Sequence, residues 1–329
     1  MTPSEITSIL VTGSTGFVGR HVVQQIRAEL PHVKLYLARR QSVDAGVSSD
    51  GNVDVVKWDF VEPLFLNRSV DVVIHAGGEK KDLRRMQQVN VDGTGNLLNW
   101  SVRNGVRRFV HLSSAGVYGA RSHRGIVNEE SSRYPANPYE SSKYASEELV
   151  KSVCARSGMS YLIIQPTNVI GWVGNGVNPL LGLFSSVKRG LFCYFSASEI
   201  VFNYVSVEDV ACALTRSVLV AESGRSFIVN SPTNGAEFIN CIADALGAPA
   251  PSRRVPYPIG FGGAVFADAV NLVRPGALPF GRERLRELTN AMRYDGSQIV
   301  AAIGQIYRLG IDASVRNLID AYTKHGLLK

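Results

Sequence analysis

The first apolar run, Ile6, Ile9, Leu10 and Val11, is short and compact, as suits a strand buried on both faces. Val18, Val22, Val23, Ile26 and Leu30 follow at close to the i, i+4, i+8 spacing of a helix with one apolar face. This alternation continues. Strands are predicted over 34–38, 53–58, 71–75, 108–113 and 161–165, and helices over 87–104 and 138–156, the helices ending at Gly105 and Gly158. Strands alternating with helices through short loops predict a parallel sheet with right-handed crossovers. Beyond Pro166 the pattern loosens, with glycine and asparagine frequent from Asn168 to Asn178. A strand over 202–207, a helix over 208–220 and a strand over 226–230 come next, then short helices and proline-rich loops. The expected fold is α/β, a doubly wound parallel sheet of the Rossmann type over 1–167. The segment near 201–231 is expected to return to it. A smaller, mainly helical C-terminal part, 168–200 and 232–329, is expected to bind the substrate.

Composition narrows the class. Of 329 residues, 45% are hydrophobic and 19% charged, which excludes a disordered chain. The net charge of +7 is spread along the chain without a basic block. That suits anionic small molecules, or a merely basic surface, better than nucleic acid. Cys154, Cys193, Cys212 and Cys241 lie far apart, with no zinc-ligand spacing, so reduced thiols in a cytoplasmic protein and no metal are expected. His75, His111 and His123 have no metal-like partners in sequence, and Trp58, Trp100 and Trp172 read as packing residues. The N-terminus runs directly into the first strand, so no signal peptide is expected. The most apolar stretch, 255–273, carries Asp268 and several prolines and glycines. It reads as a loop and a buried helix, not a membrane span.

Between the first strand and the first helix lies "LVTGSTGFVG", with Gly13, Gly16 and Gly19 spaced G-x-x-G-x-x-G. A dinucleotide pyrophosphate binds at such a turn, where free N–H groups and the positive end of the helix dipole meet. Gly13 would take the backbone angles of the turn, Gly16 would admit a phosphate, and Gly19 would let helix and strand pack closely. The same spacing also fits a tight turn with no ligand. Further on, Tyr139 and Lys143 in "YESSK" are four apart on a helix and share a face. An ammonium beside a phenol stabilises the phenolate, so the pair could move a proton at a carbonyl or carbinol oxygen. Ser114, in "HLSSAGVYG", closes a strand at the end of the sheet where ligands bind, and could hold that oxygen.

With these three motifs in order, the chain resembles the extended short-chain dehydrogenase/reductase family, in its nucleotide-sugar epimerase, dehydratase and reductase group. "DVVIHAGGEK", "VNVDGTGNLL", "QPTNVIG" and "YVSVEDVA" resemble further segments of that family. The resemblance implies an NAD(P)-dependent enzyme with Ser114, Tyr139 and Lys143 as catalytic residues. It implies cofactor contacts from Gly13, Thr15, Gly16, Phe17, Val18, Gly19, Asp59, Phe60, His75, Ala76, Gly77, Lys80, Asn90, Ser113, Gln165 and Pro166, besides Tyr139 and Lys143. It implies substrate contacts from Ser114, Ala115, Tyr139 and Asn168, a nucleotide-sugar substrate, and a homodimer through helices of the sheet.

Departures from the family pattern refine this. Arg39 and Arg40 in "YLARR" stand where NAD-using members place an acid, and guanidinium groups match an adenosine 2′-phosphate. NADP is therefore expected, with NAD as the alternative. The Asp-Glu pair that dehydratases carry is replaced by Ala115 and Gly116, which argues against water elimination. Phe202 stands where many members have a substrate-binding arginine, and Arg282, Arg284 or Arg286 could replace that cation. The expected activity is reduction of a 4-keto nucleotide sugar by NADPH. The alternatives are an NAD-dependent 4-epimerase, a reductase of a non-sugar ketone such as a steroid or flavonoid, and a catalytically idle NADP-binding regulatory protein.

Overall fold

The computed structural model describes residues 5–40, 51–119, 125–174, 180–195, 200–274, 278, 280–289 and 291–328. His123 and Asn178 fall outside them. The strands are β1 Ser8–Thr12, β2 Lys34–Arg39, β3 Val53–Lys57, β4 Val72–His75, β5 Arg108–Leu112, β6 Ile126–Val127, β7 Ser160–Pro166, β8 Asn168–Ile170, β9 Val201–Ser206, β10 Arg225–Val229, β11 Ser231–Asn234 and β12 Arg293–Tyr294. The α-helices are α1 Phe17–Glu29, α2 Leu83–Met86, α3 Gly93–Arg103, α4 Pro138–Ser157, α5 Leu180–Lys188, α6 Val207–Arg216, α7 Gly235–Ala245, α8 Tyr257–Val273, α9 Arg282–Glu287, α10 Ser297–Ile303 and α11 Gly310–Lys324.

Seven strands form one parallel sheet in the order β10-β7-β5-β4-β1-β2-β3. From β1 the chain moves outward to β2 and β3, then crosses back to place β4 on the other side of β1. That reversal puts the topological switch point between β1 and β4, where doubly wound folds bind ligands. Strand residues alternate between two cores, as period-2 geometry dictates. Ile9, Val11, Val72 and Ile74 pack with Val22 and Ile26 of α1 and Val210 and Leu214 of α6. Leu10, Val73 and Phe109 face Leu97 and Leu98 of α3 and Val150 and Cys154 of α4. β9 stays outside this sheet, in a three-stranded one of order β11-β9-β8.

Two sequence expectations need correction. The helix predicted over 87–104 begins earlier, at Leu83, and contains a π-helical turn, Gln87–Asp92, between α2 and α3. Stretch 255–273 does contain a helix, α8, but a large part of it is exposed. Gly260, Ala264 and Ala267 are buried, whereas Ile259, Phe261, Val265, Phe266, Leu272 and Val273 face outward. A run apolar on all sides has no polar stripe to mark its outer face, so periodicity alone misreads it as buried.

Candidate active site

β1 ends at Thr12, and the next residue, Gly13, turns with φ +67. A Cβ on Gly13 would lie 2.6 Å from Cα and N of Gly77, so the loops leaving β1 and β4 touch through two glycines. Gly19 is equally constrained: a Cβ there would meet the Gly13 carbonyl oxygen and carbon at 2.1 and 2.7 Å. Gly16 differs. It caps α1 without any side-chain hydrogen bond, the first turn carries no acid, and an added Cβ would meet only the Gly13 oxygen, at 3.0 Å. Glycine at position 16 thus keeps the turn from crowding the Gly13 carbonyl, though less severely than at 13 and 19. The glycine turn and the helix N-terminus without a side-chain cap fit a phosphate, and a dinucleotide cofactor fits these residues. Thr15 is exposed beside them, and Phe17 and Val18 are half-buried.

Arg39 extends from the end of β2 toward this loop, with Nε 3.4 Å from Ser14 Oγ. Arg40 is exposed next to it. Asp59 lies just past β3. Its Oδ1 accepts the N–H groups of Val61 and Glu62 at 3.0 and 3.4 Å, and the bond from Val61 leads in holding the carboxyl below its usual range. Phe60 has φ 76, and its ring lies where a Cβ on Gly77 would be, 2.1 Å from Cζ. Ala76 is half-buried at the head of the β4 loop, and Lys80 places Nζ 5.7 Å from the centre of the Tyr139 ring.

α4 carries Tyr139 and Lys143. Asn137 caps it by accepting the Glu140 N–H at 2.9 Å, Pro138 occupies the first turn, and Gly158 ends it in the left-handed conformation. Lys143 is buried and donates from Nζ to the Leu112 carbonyl at 2.5 Å, which ties α4 to the end of β5. Two residues beyond Leu112, Ser114 caps the 3-10 turn Ala115–Tyr118, its Oγ accepting the Gly116 N–H at 3.1 Å. The Ser114 hydroxyl proton thus remains to be donated. Tyr139 and Lys143 thus lie one turn apart on α4, and Lys143 is tied to the strand that leads into Ser114.

Their electrostatics run against the sequence argument. Burial pushes the Tyr139 phenol up to about 12, with Glu140 adding to it, and burial pushes the Lys143 ammonium down to about 8. Desolvation leads for both groups, so the resting phenol holds its proton.

Several residues expected at the cofactor or substrate engage their side chains within the protein. His75 is buried and neutral, pushed down to about 3 by burial. Its Nδ1 lies 2.7 Å from Thr12 Oγ1 and its Nε2 lies 2.9 Å from Thr94 Oγ1. Asn90 spends its amide on the Glu79 backbone, at 2.7 and 2.8 Å, and on Ser142 Oγ at 2.9 Å, so it braces the β4 loop and ties it to α4. Ala115 turns its methyl into a core with Val117, Tyr118 and Val127. Ser113 and Gln165 point inward. Ser113 Oγ and, at 2.8 Å, Gln165 Nε2 both donate to Glu147 Oε1, and Tyr118 donates to Gln165 Oε1 at 2.9 Å. Pro166 is buried at the end of β7. Phe202 packs on Phe238, and of the arginines suggested in its place Arg282 is paired with Asp268. Asn168 is exposed on β8.

Other residues were not anticipated. Glu147, one turn beyond Lys143, is wholly buried, and burial raises its carboxyl; Arg133 Nε lies 3.7 Å from Oε2. The i+4 spacing from Lys143 was its available signal. Glu140 brings Oε1 within 3.2 Å of where a Cβ on Gly116 would sit. The strand-end stretch lacks an acid, yet α4 places one beside it, so that stretch alone does not settle water elimination.

Comparison with known proteins agrees with this geometry. The chain is 26% identical to a 3beta-hydroxysteroid-dehydrogenase/decarboxylase isoform 2 of Arabidopsis thaliana, over 95% of this chain and 62% of that protein, so it spans under two thirds of that relative. It is 28% identical to a UDP-glucose 4-epimerase of Vibrio cholerae, over 77% of this chain and 79% of that protein. The UDP-glucose 4-epimerase of Thermotoga maritima, solved with UDP-glucose, shares the fold at TM-score 0.70 and 18% identity, over 97% and 99% of the two chains. Among the described residues no helix is long and apolar enough to cross a membrane. The family model described as NAD dependent epimerase/dehydratase matches residues 9–229, two thirds of the chain. With that match over the glycine loop, Ser114, Tyr139 and Lys143, the chain belongs to the NAD-dependent epimerase/dehydratase family.

Proposed function

We propose that the protein is an NADPH-dependent reductase of a ketone on a nucleotide-linked sugar. The observation that carries the cofactor choice is Arg39, which reaches Ser14 on the glycine loop. The loop N–H groups at Gly16–Gly19 hold the pyrophosphate, Arg39 and Arg40 take the 2′-phosphate, and Asp59 takes the adenine amino group. When bound, the cofactor supplies the hydride. Ser114 donates its hydroxyl proton in a hydrogen bond to the ketone oxygen. Tyr139, protonated at rest, gives up its proton to that oxygen as negative charge develops. Lys143 favours the resulting phenolate and holds the nicotinamide ribose. Asn168 contacts the substrate diphosphate. Residues 1–167, with the segment near 201–231, form the cofactor part, and 168–200 with 232–329 the substrate part. A cytoplasmic homodimer through helices of the sheet belongs to the same reading.

A second reading, a ketone or hydroxyl on an apolar carrier, is favoured by the exposed face of α8 and by the name of the Arabidopsis relative. The test is NADPH oxidation against a panel of 4-keto nucleotide sugars and steroid ketones, with Tyr139→Phe as control. Turnover of a sugar substrate that Tyr139→Phe lowers by roughly 10²–10⁴-fold supports the proposal. Turnover of steroids alone selects the second reading. NAD that stays bound through purification, with interconversion of sugar epimers, selects a 4-epimerase. No turnover on any substrate leaves an idle NADP-binding protein.

A further inference from the structure

α8 is a 17-residue helix whose only charged residue is Asp268. Small residues form its protein-facing side, where a Cβ on Gly260 would lie 2.5 Å from the Phe195 ring. The opposite arc is apolar and open to solvent: Ile259 is 66% exposed, Phe266 67%, Leu272 86% and Val273 87%. Soluble proteins rarely leave so continuous an apolar strip bare. Cations frame it. Arg253 precedes the helix, Arg274 follows it, and Arg286 is exposed on α9, which packs against it. Arg282 of α9 neutralises Asp268 at 2.5 Å.

We infer that this face docks on an anionic lipid bilayer, with α8 lying flat in the interface and the arginines meeting headgroup phosphates. A helix of this length spans about 25 Å, short of the ~30 Å hydrocarbon core, and its small-residue side is already packed on the protein. It therefore lies on a membrane and does not cross it. A second copy of the chain fits the face less well, because pairing two such helices sets arginine against arginine. Anionic headgroups complement the same residues.

The test is flotation of the full chain with vesicles of phosphatidylcholine alone or of equimolar phosphatidylcholine and phosphatidylglycerol. The expected result is flotation with the anionic vesicles only, weakened by salt. Phe266→Ser and Leu272→Ser should each weaken binding on the order of tenfold. Arg253→Gln and Arg274→Gln should each weaken it roughly fivefold. All four positions lie outside the candidate active site, so unchanged circular dichroism and NADPH affinity separate lost docking from lost folding. Failure to float with either vesicle overturns the inference. So does flotation that the apolar substitutions leave unchanged, and equal flotation with both vesicles removes the role given to the arginines. A dimer that Phe266→Ser dissociates, without vesicle binding, assigns the face to a second copy instead. None of these outcomes depends on which substrate is reduced.

Discussion

Lys143 gives a prediction that can be worked through in energies. Its ammonium is pushed from 10.5 to about 8, mainly by burial, with Glu147 pulling the other way. In the unfolded chain the lysine is charged at neutral pH, and folding must strip its water. That gap corresponds to a folding penalty of about 3 kcal/mol at neutral pH. The folded pKa is depressed, so between about 8 and 10.5 the unfolded state binds more protons, and stability rises with pH across that window. Lys143→Met keeps the buried alkyl stem and removes the titration. It also loses the hydrogen bond to the Leu112 carbonyl, a loss of about 1 kcal/mol. Near pH 7 the variant should thus be about 2 kcal/mol more stable than the parent, while losing turnover. By about pH 10 most of the penalty in the parent has gone, and the difference should shrink by about 2–3 kcal/mol, changing sign or vanishing. Urea unfolding of both proteins, without cofactor, measures this at each pH, and the subtraction cancels the titrating groups that do not interact with Lys143. If the difference stays constant from neutral to alkaline pH, Lys143 is not the depressed group described here.

Arg39→Asp should erase or invert a preference for NADP over NAD, with a loss of about 1.5–3 kcal/mol in NADP affinity; calorimetry giving equal affinities in the parent would refute the assignment. Gly16→Val should abolish cofactor binding, measured by calorimetry on protein shown folded by circular dichroism; retained tight binding would show that Gly16 serves only the turn. Gly19→Ala should instead destabilise the fold by about 1–3 kcal/mol, because the new Cβ meets backbone; an unchanged urea midpoint would contradict that close packing. Glu147→Ala leaves Arg133 and Gln165 facing a void and should cost about 3–5 kcal/mol, visible in thermal unfolding; Glu147→Gln should cost less, since it retains an acceptor for Ser113 and Gln165.

The sheet was legible because its central strands are buried on both faces and read as short apolar runs punctuated by glycine. Strand ends fell within about two residues of those expected, a normal margin. Tyr139 and Lys143 were legible because four-residue spacing fixes a shared helix face. Their protonation was not, since it depends on desolvation by residues distant in sequence. His75, Asn90 and Gln165 fell at the expected positions along the chain, but sequence gives no side-chain direction, and all three point into hydrogen-bond networks. The outer face of α8 was invisible for a related reason: apolar residues surround that helix, and only the packing of Gly260, Ala264 and Ala267 shows which side is covered.

The π-helical turn at Gln87–Asp92 has a consequence for insertions and deletions. It holds one residue more than a regular turn would; Asn90, within it, braces the β4 loop, and Leu97 and Leu98, beyond it, fill the core. Deleting one residue there would restore an unbroken α-helix and its regular hydrogen bonds. It would also rotate everything beyond by about 100° relative to what precedes it. Asn90 could then keep the loop only if Leu97 and Leu98 left the sheet, or the leucines could keep the sheet only if Asn90 left the loop. The extra residue acts as a phase adjuster between two periodicities, and the locally worse helix is the one this chain has to retain.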